Sequence, residues 1–194
     1  ICMSPAAEEV VTHLIALCED TFEVRHYERK TALVCEQEAF VFPDDVTEGD
    51  ALITFTKRAV LDIAGRLERE GIRASVIYGS LPPEIRRRQI RLFLSHETKV
   101  VVSTDAIGMG LNLPVRRIVF IQTEKYDGIS TRPLNIPEIR QIAGRAGRFG
   151  MYDTGYVNAM GEDARNYIAK RFDQPEPVIK LSLIHISEPT RRVV

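Results

Sequence analysis

The sequence has few of the features that mark secreted, zinc-binding or membrane proteins. Its three cysteines, Cys2, Cys18 and Cys35, form no C-x-x-C pair and have no histidine cluster nearby, which argues against a disulfide framework and a zinc site. No apolar run approaches the length of a membrane span. Positive and negative side chains nearly cancel, to a net charge of −1, so any nucleic-acid site must be local. We expect an intracellular chain with no metal site of its own and no membrane contact.

Both common glycine-rich nucleotide loops are also missing. No G-x-x-x-x-G-K-[ST] segment occurs, and the glycines at 108 and 110 do not begin a dinucleotide fingerprint because Leu113 stands where a third glycine would be. A chain of 194 residues with 44% hydrophobic content can still bury a sizeable core. Because both glycine-rich loops are missing, any nucleotide chemistry must depend on other residues.

Short β-rich runs alternate with helical patterns, which predicts a three-layer α/β/α fold around a mainly parallel sheet. The predicted strands are residues 51–55, 74–78, 99–103, 117–122 and 155–160. The predicted helices are residues 57–70, 83–94, 136–148 and 162–171. Upstream, residues 5–18 are predicted as a helix, 22–27 as a strand and the mixed stretch to 49 as a linker. A polar loop, 124–134, with a turn at 126–128, precedes the helix 136–148.

The most informative segment is residues 141–148, which read QIAGRAGR. Spacings of four and three place Gln141, Arg145 and Arg148 on one face of the predicted helix, opposite its apolar residues. Two glycines inside a helix cost about 1 kcal/mol each against alanine, which close backbone approach to a ligand or another element would explain. The segment is either a phosphate-binding face or a solvated arginine face on an amphipathic helix.

A second constellation follows the predicted strand 99–103, where residues 104–113 read TDAIGMGLNL. Ligands of open parallel sheets bind beyond the carboxyl ends of the strands, and small residues allow backbone to approach a phosphate closely. Thr104, Asp105, Gly108 and Gly110 are therefore candidate ligand-binding residues. The alternative is a strand-to-helix turn that needs its glycines for geometry alone.

Two further strand ends lie at the same edge of the predicted sheet. Thr56 and Lys57 offer a helix cap and a cation for a backbone phosphate. Residues 78–83 read YGSLPP and lead into an arginine-rich helix, with Gly79 and Ser80 in the turn and Arg86 close to it. Charge runs are usually solvated, and we expect Arg86 to be the exception.

These motifs resemble those of a known family. The TDAIGMGLNL and QIAGRAGR segments are similar to motifs V and VI of superfamily-two helicases, and with YGSLPP they resemble the mitochondrial degradosome RNA helicases and their bacterial relatives. The resemblance covers residues 1 to 180. It implies the second of two RecA-like lobes, at 50–172, preceded by closing elements of the first lobe at 1–28 and an interlobe linker at 29–49, and followed by an exit linker at 173–180.

The resemblance also implies roles for particular residues. Arg145 and Arg148 would act as arginine fingers on ATP, with Gln141 near the γ-phosphate or the attacking water. Asp105, Gly108, Asn112 and Gly144 would bind ATP or couple the two sites. Backbone phosphates of single-stranded RNA would contact the remaining candidates, which are Thr56, Lys57, Gly79, Ser80, Arg86, Thr104 and Gly110.

The lysine loop and the acidic motif that holds Mg²⁺ would belong to the first lobe, so this chain alone should not hydrolyse ATP. The expected partners are RNA, the first lobe and a ribonuclease, in the bacterial cytoplasm or the mitochondrial matrix. Two other functions remain open: a DNA helicase or translocase lobe, and a non-catalytic binding module. Residues 181–194 do not continue the family pattern and look like a non-native tail.

Overall fold

A six-stranded, wholly parallel sheet organises residues 28–174 in the computed structural model, which describes residues 3, 5–108, 113–148 and 150–175. The strands in chain order are β1 (Ala32–Cys35), β2 (Asp50–Ile53), β3 (Ala74–Ile77), β4 (Val100–Ser103), β5 (Arg117–Phe120), β6 (Glu124–Tyr126), β7 (Thr131–Pro133) and β8 (Thr154–Ala159). The sheet order is β1-β8-β5-β2-β4-β3, and β6 and β7 form a separate antiparallel hairpin. The five strands predicted between residues 51 and 160 are all present, with ends that differ by no more than two residues.

Helices cover both faces of this sheet. They are α2 (Lys57–Arg69), α3 (Pro83–Leu94), α4 (Ile136–Ala143) and α5 (Glu162–Phe172), with a short 3₁₀ turn at Asp105–Gly108; the 3₁₀ turn Pro5–Ala7 and helix α1 (Glu8–Leu17) precede them in the chain and belong to a separate unit. Leu52 of β2 packs with α2, whereas its neighbour Ile53 packs in the cluster that contains side chains of α3, α4 and α5. Successive strand residues point to opposite faces, so the three-layer α/β/α prediction is confirmed.

The stretch predicted as a linker, residues 29–49, contains a strand of the sheet. Strand β1 pairs in parallel with β8 along its whole length. Beyond it, the Glu36 carboxylate accepts a hydrogen bond of 2.7 Å from the Asn158 amide, and Phe40 is 1% exposed. The stretch predicted as a linker therefore contains the short strand β1, and the residues that follow it, Glu36 and Phe40, contact the sheet.

Three sequence predictions need correction. Residues 22–27 form no strand, because a strand needs a partner to satisfy its backbone groups and none is found in the described part of the chain. The polar loop 124–134 is instead the β6–β7 hairpin, whose turn is closed by a 3.1 Å bond from the Asp127 amide to the Ser130 carbonyl. The helix predicted at 136–148 ends at Ala143.

Residues 28–174 form one compact unit, and α1 with the segment up to Tyr27 belongs to another. Expectations for Gly110, Asn112, residues 176–180 and the 181–194 tail lie outside the described residues. None of the described helices has both the length and the apolar character that crossing a membrane requires.

Candidate functional site

Three of the predicted ligand-binding turns lie side by side at the carboxyl edge of the sheet. Their strands β2, β4 and β3 are neighbours, and the ladder continues past the strand ends. The Thr54 amide donates to the Ser103 carbonyl at 2.9 Å, and the Thr104 amide donates to the Ile77 carbonyl at 3.1 Å. The structure therefore brings together the turns that carry Thr56, Gly79 and Thr104, at one end of the sheet.

The turn after β2 carries the positive charge of this edge. The Thr56 hydroxyl caps α2 by accepting a hydrogen bond of 3.1 Å from the Ala59 amide, as the sequence predicts. Lys57 is exposed, and its Nζ lies 5.3 Å from the centroid of the Tyr78 ring. An ammonium over an aromatic face is attracted to it, so Lys57 is held near the ends of both β2 and β3.

The turn after β3 is exposed, and two of its carbonyls accept hydrogen bonds from Arg86. The Arg86 Nη2 donates to the Gly79 carbonyl at 2.9 Å and to the Leu81 carbonyl at 3.3 Å. A side chain added at Gly79 would meet nothing within 4 Å, so a ligand can approach the Gly79 and Ser80 backbone closely. In this structure Arg86 supports the turn, rather than extending beyond it.

The turn after β4 is ordered by its own first residue. Thr104 is 7% exposed, and its Oγ1 accepts a hydrogen bond of 3.3 Å from the Ala106 amide. Asp105 is more exposed, and its Oδ2 lies 3.5 Å from Lys125 Nζ. Thr104 therefore fixes the turn, and Asp105 connects it to the β6–β7 hairpin.

Arg145 and Arg148 lie on a loop and not on the predicted helical face. Helix α4 ends at Ala143, and the four residues after Gly144 include Gly147 at φ +68°. An L-residue rarely adopts this backbone conformation. We call residues 144–148 the arginine loop. The single-face argument was wrong because it assumed that helical geometry continues through both glycines.

The second glycine of this loop allows one backbone to lie against another. A Cβ added at Gly147 would lie 2.5 Å from the Gly155 nitrogen, and one added at Gly155 would lie 2.6 Å from the Ala146 carbonyl carbon. The Gly147 amide also donates to the Val115 carbonyl at 2.8 Å. Of the two explanations that the sequence left open, approach to another element applies at Gly147.

The arginine loop also contacts the turn after β4. The Arg145 guanidinium donates to the Gly108 carbonyl, and the Gln141 Cγ lies 3.5 Å from where a Gly108 Cβ would be. Arg148 is half-buried, and its carbonyl accepts from the Met151 and Tyr152 amides at 3.1 Å. Residues 105–108 therefore connect Thr104 to the arginine loop.

A charged cluster at the start of α4 was not predicted from the sequence. The predicted Asn135–Glu138 capping box is present, but the Glu138 carboxylate also lies 2.7 Å from Lys125 Nζ and 2.9 Å from Arg132 Nη2. Burial raises the pKa of Glu138, but hydrogen bonds from Arg132, the Asn135 amide and Lys125 outweigh it and lower the pKa to about 2. The hairpin is thereby fixed to the helix that leads into the arginine loop.

Replacing Glu138 by glutamine should lower stability at neutral pH by about 1–2 kcal/mol, a value reduced for solvent screening. Because the folded pKa lies below the unfolded one, this stabilisation is complete above pH 4.5 and is lost as the pH falls towards 2. Urea unfolding of the wild type and Glu138→Gln between about pH 7 and pH 3 measures it, and the difference should shrink by roughly half or more.

Glu84→Gln provides the matched control, since Glu84 is an exposed acid in the first turn of α3. It should change stability by no more than a few tenths of a kcal/mol. A Glu138→Gln effect that stayed constant down to about pH 3 would show that the carboxylate charge is not what stabilises the hairpin.

Comparisons with known proteins show the family and the fold of the chain. A family model described as the helicase conserved C-terminal domain matches residues 30–150. The chain is 37% identical over 184 residues to ATP-dependent RNA helicase SUV3, mitochondrial, of Oryza sativa subsp. japonica. This alignment covers 93% of this chain and 32% of that protein. The chain is 40% identical over 167 residues to the SUV3 homolog of Caenorhabditis elegans, also named as mitochondrial, which covers 85% of this chain and 22% of that protein. The chain spans between about a fifth and a third of these relatives.

Two solved structures show the same fold. The C-terminal domain of the DEAD-box protein Dbp5 aligns with a TM-score of 0.53 and 20% identity, covering 76% of this chain and 87% of that one. Dbp5 of S. cerevisiae bound to RNA and ADP BeF3 aligns with a TM-score of 0.57 and 19% identity, covering 88% of this chain and 48% of that one. At this level of identity, the similarity concerns the fold alone.

Proposed function

The chain belongs to the helicase conserved C-terminal domain family, and on that premise we propose that it is the second RecA-like motor lobe of an ATP-dependent RNA helicase. The observation that carries the proposal is the contact of two motif loops: the Arg145 guanidinium on the Gly108 carbonyl, next to the turn that Thr104 orders. The arginine loop suits a nucleotide, and the strand-end turns suit a nucleic-acid backbone. The turn 105–108 contacts Arg145 of the loop and Thr104 of the strand-end turns.

In the proposed mechanism, ATP binds between this lobe and a first lobe. Arg145 and Arg148 stabilise the charge that develops on the transferring γ-phosphoryl group, and Gln141 orients the attacking water. A guanidinium suits this role because it is planar, always charged and able to donate two parallel hydrogen bonds. Asp105, Gly108, Asn112 and Gly144 bind nucleotide or couple the two groups of residues. We assign Mg²⁺ to side chains of the first lobe.

RNA is proposed to lie across the three strand-end turns. The exposed backbone at Gly79 and Ser80, the Lys57 ammonium and the amino end of α2 at Thr56 present donors to phosphates. Thr104 and Gly110 would complete this surface, and Arg86 would hold the Gly79 turn in place. Contacts to phosphates carry little sequence information, which suits a motor that moves along any strand.

The names of the relatives favour RNA over DNA as the substrate and a mitochondrial location if the source is eukaryotic. A ribonuclease partner remains part of the proposal. Competition between RNA and DNA strands of the same sequence separates an RNA helicase from a DNA translocase. Walker A and B motifs upstream in the parent reading frame would exclude a purely non-catalytic module, and their absence would contradict the motor proposal.

The isolated chain should hydrolyse ATP no faster than background and should bind single-stranded RNA weakly. It supplies the arginine loop but has no lysine loop to hold the phosphates. Binding should weaken steeply as salt rises, because the contacts are to phosphates. A steady-state ATPase assay with and without RNA, together with fluorescence anisotropy at several salt concentrations, checks both statements. Robust RNA-stimulated hydrolysis by this chain alone would show that the architecture is misassigned.

A further inference from the structure

One arginine outside every recognised motif holds the backbone of the arginine loop. Arg29 lies just before β1, and its guanidinium donates to three backbone carbonyls. Its Nε donates to the Thr31 carbonyl at 2.8 Å, its Nη1 to the Gly144 carbonyl at 2.7 Å, and its Nη2 to the Ala146 carbonyl. One planar group thus connects the start of β1 with the loop that follows α4.

The two loop carbonyls belong to the residues on either side of Arg145. Carbonyl groups at the end of a helix have no intrahelical partner and need another donor. Arg29 supplies it, and so fixes the position and orientation of two peptide groups, 144–145 and 146–147, that flank the 145–146 segment of the loop. Burial lowers the pKa of the Arg29 guanidinium, and its hydrogen-bond acceptors among the described residues are these neutral carbonyls.

The loop is fixed on its other side by the sheet. Ala146 forms a parallel bridge with Val115, and Gly147 lies against Gly155. With Arg29, the backbone from Gly144 to Gly147 is held from both directions, by contacts that differ in chemistry. Fixing a catalytic side chain to within a fraction of an ångström is what transition-state stabilisation requires of the surrounding residues.

We propose that Arg29 is a positioning residue for the arginine loop: by holding the Gly144 and Ala146 carbonyls, it sets where the Arg145 and Arg148 guanidinium groups stand relative to the γ-phosphoryl group. This inference rests on the function proposed above. Arg29 acts on the reaction through these two carbonyls. Lysine cannot take its place, because one ammonium group on a flexible stem cannot reproduce a planar fork that reaches three carbonyls.

The test compares Arg29→Met and Arg29→Lys in the full-length, two-lobe protein. For Arg29→Met, kcat for RNA-stimulated ATP hydrolysis should fall by about 10- to 100-fold, the loss expected when a catalytic group is slightly misplaced. The KM for ATP and the RNA affinity should change by less than about 3-fold. Arg29→Lys should recover only a small part of kcat. Hydrogen exchange of the amides from 144 to 148 should become faster in both variants while the rest of the sheet stays protected.

Arg69→Met is the matched control, because the Arg69 Nε donates to a carbonyl of its own helix, that of Gly65, at 3.3 Å. It should leave kcat unchanged. The proposal would be overturned if Arg29→Met kept kcat within about 2-fold of the wild-type value, or if Arg29→Lys restored kcat fully. It would also be overturned if the loss of kcat came with an equal loss of RNA affinity and with faster hydrogen exchange throughout the sheet. A wild-type protein without RNA-stimulated hydrolysis would instead contradict the proposed function itself.

Discussion

Arg148→Ala in the full-length two-lobe protein should reduce ATP turnover by about 10³-fold or more while leaving single-strand RNA affinity nearly intact. An arginine finger acts on charge that exists only in the transition state, so its removal costs little ground-state binding. Arg148→Lys should restore little activity because it keeps the charge but loses the planar fork. Steady-state ATPase and equilibrium RNA binding on the same preparations measure both effects.

Arg145→Ala should lose turnover to a similar degree but with one difference that the structure explains. The Arg145 guanidinium also donates to the Gly108 carbonyl, next to the turn that Thr104 orders. Its removal should therefore weaken RNA binding by about 2- to 5-fold, the equivalent of part of one hydrogen bond. Thr104→Ala should have the opposite effect: it should lower RNA affinity more than ATP turnover. If both arginine variants lost RNA affinity as severely as turnover, the arginine loop would belong to the RNA-binding surface.

Gly147→Ala should destabilise the protein by about 3 kcal/mol or more, a large effect for adding one methyl group. The added carbon would lie 2.5 Å from the Gly155 nitrogen and 2.6 Å from its Cα, so two backbones must separate. The residue also sits at φ +68°, which costs an L-residue roughly 1–2 kcal/mol more than glycine. Urea unfolding followed by circular dichroism measures the loss of stability.

Gly71→Ala measures the loss of stability caused by a positive φ angle without a steric clash. Gly71 has φ +74° at the end of α2, but a Cβ there would meet nothing within 4 Å. We expect a loss of only about 1–2 kcal/mol, from backbone strain alone. Equal losses for the two variants would contradict the account, since steric contact between the arginine loop and β8 would then contribute nothing.

The alternation of buried strands with amphipathic helices was enough to predict the α/β/α layers. Strands such as β4, which is buried throughout, read as continuous apolar runs, and helix α3 has the bounds that its pattern predicts. Strand β1 was missed because it is short and half-exposed at an edge. The end of α4 was missed because helical spacing alone does not show that Gly147 lies against Gly155 of the next strand, β8.

The candidate site was predicted where residues are close in sequence or lie at strand ends. Parallel strands bring Thr56, Gly79 and Thr104 to one edge once the strands are identified. The contacts of Arg29 and the cluster around Glu138 could not be predicted in this way. A lone arginine that binds carbonyls more than a hundred residues away has no local pattern, and Lys125 and Arg132 reach Glu138 only because the hairpin folds back.

The central claim is that the arginine loop serves the nucleotide and the strand-end turns serve the RNA. A structure of the full-length two-lobe protein with single-stranded RNA and ADP–BeF₃ tests it most directly. The account predicts the Arg148 guanidinium within about 3 Å of the fluoride atoms that stand in for the γ-phosphoryl oxygens, with RNA phosphates against the Gly79 and Thr104 turns. An Arg148 guanidinium bound to an RNA phosphate, with the fluorides contacted by this lobe's strand-end turns, would contradict it.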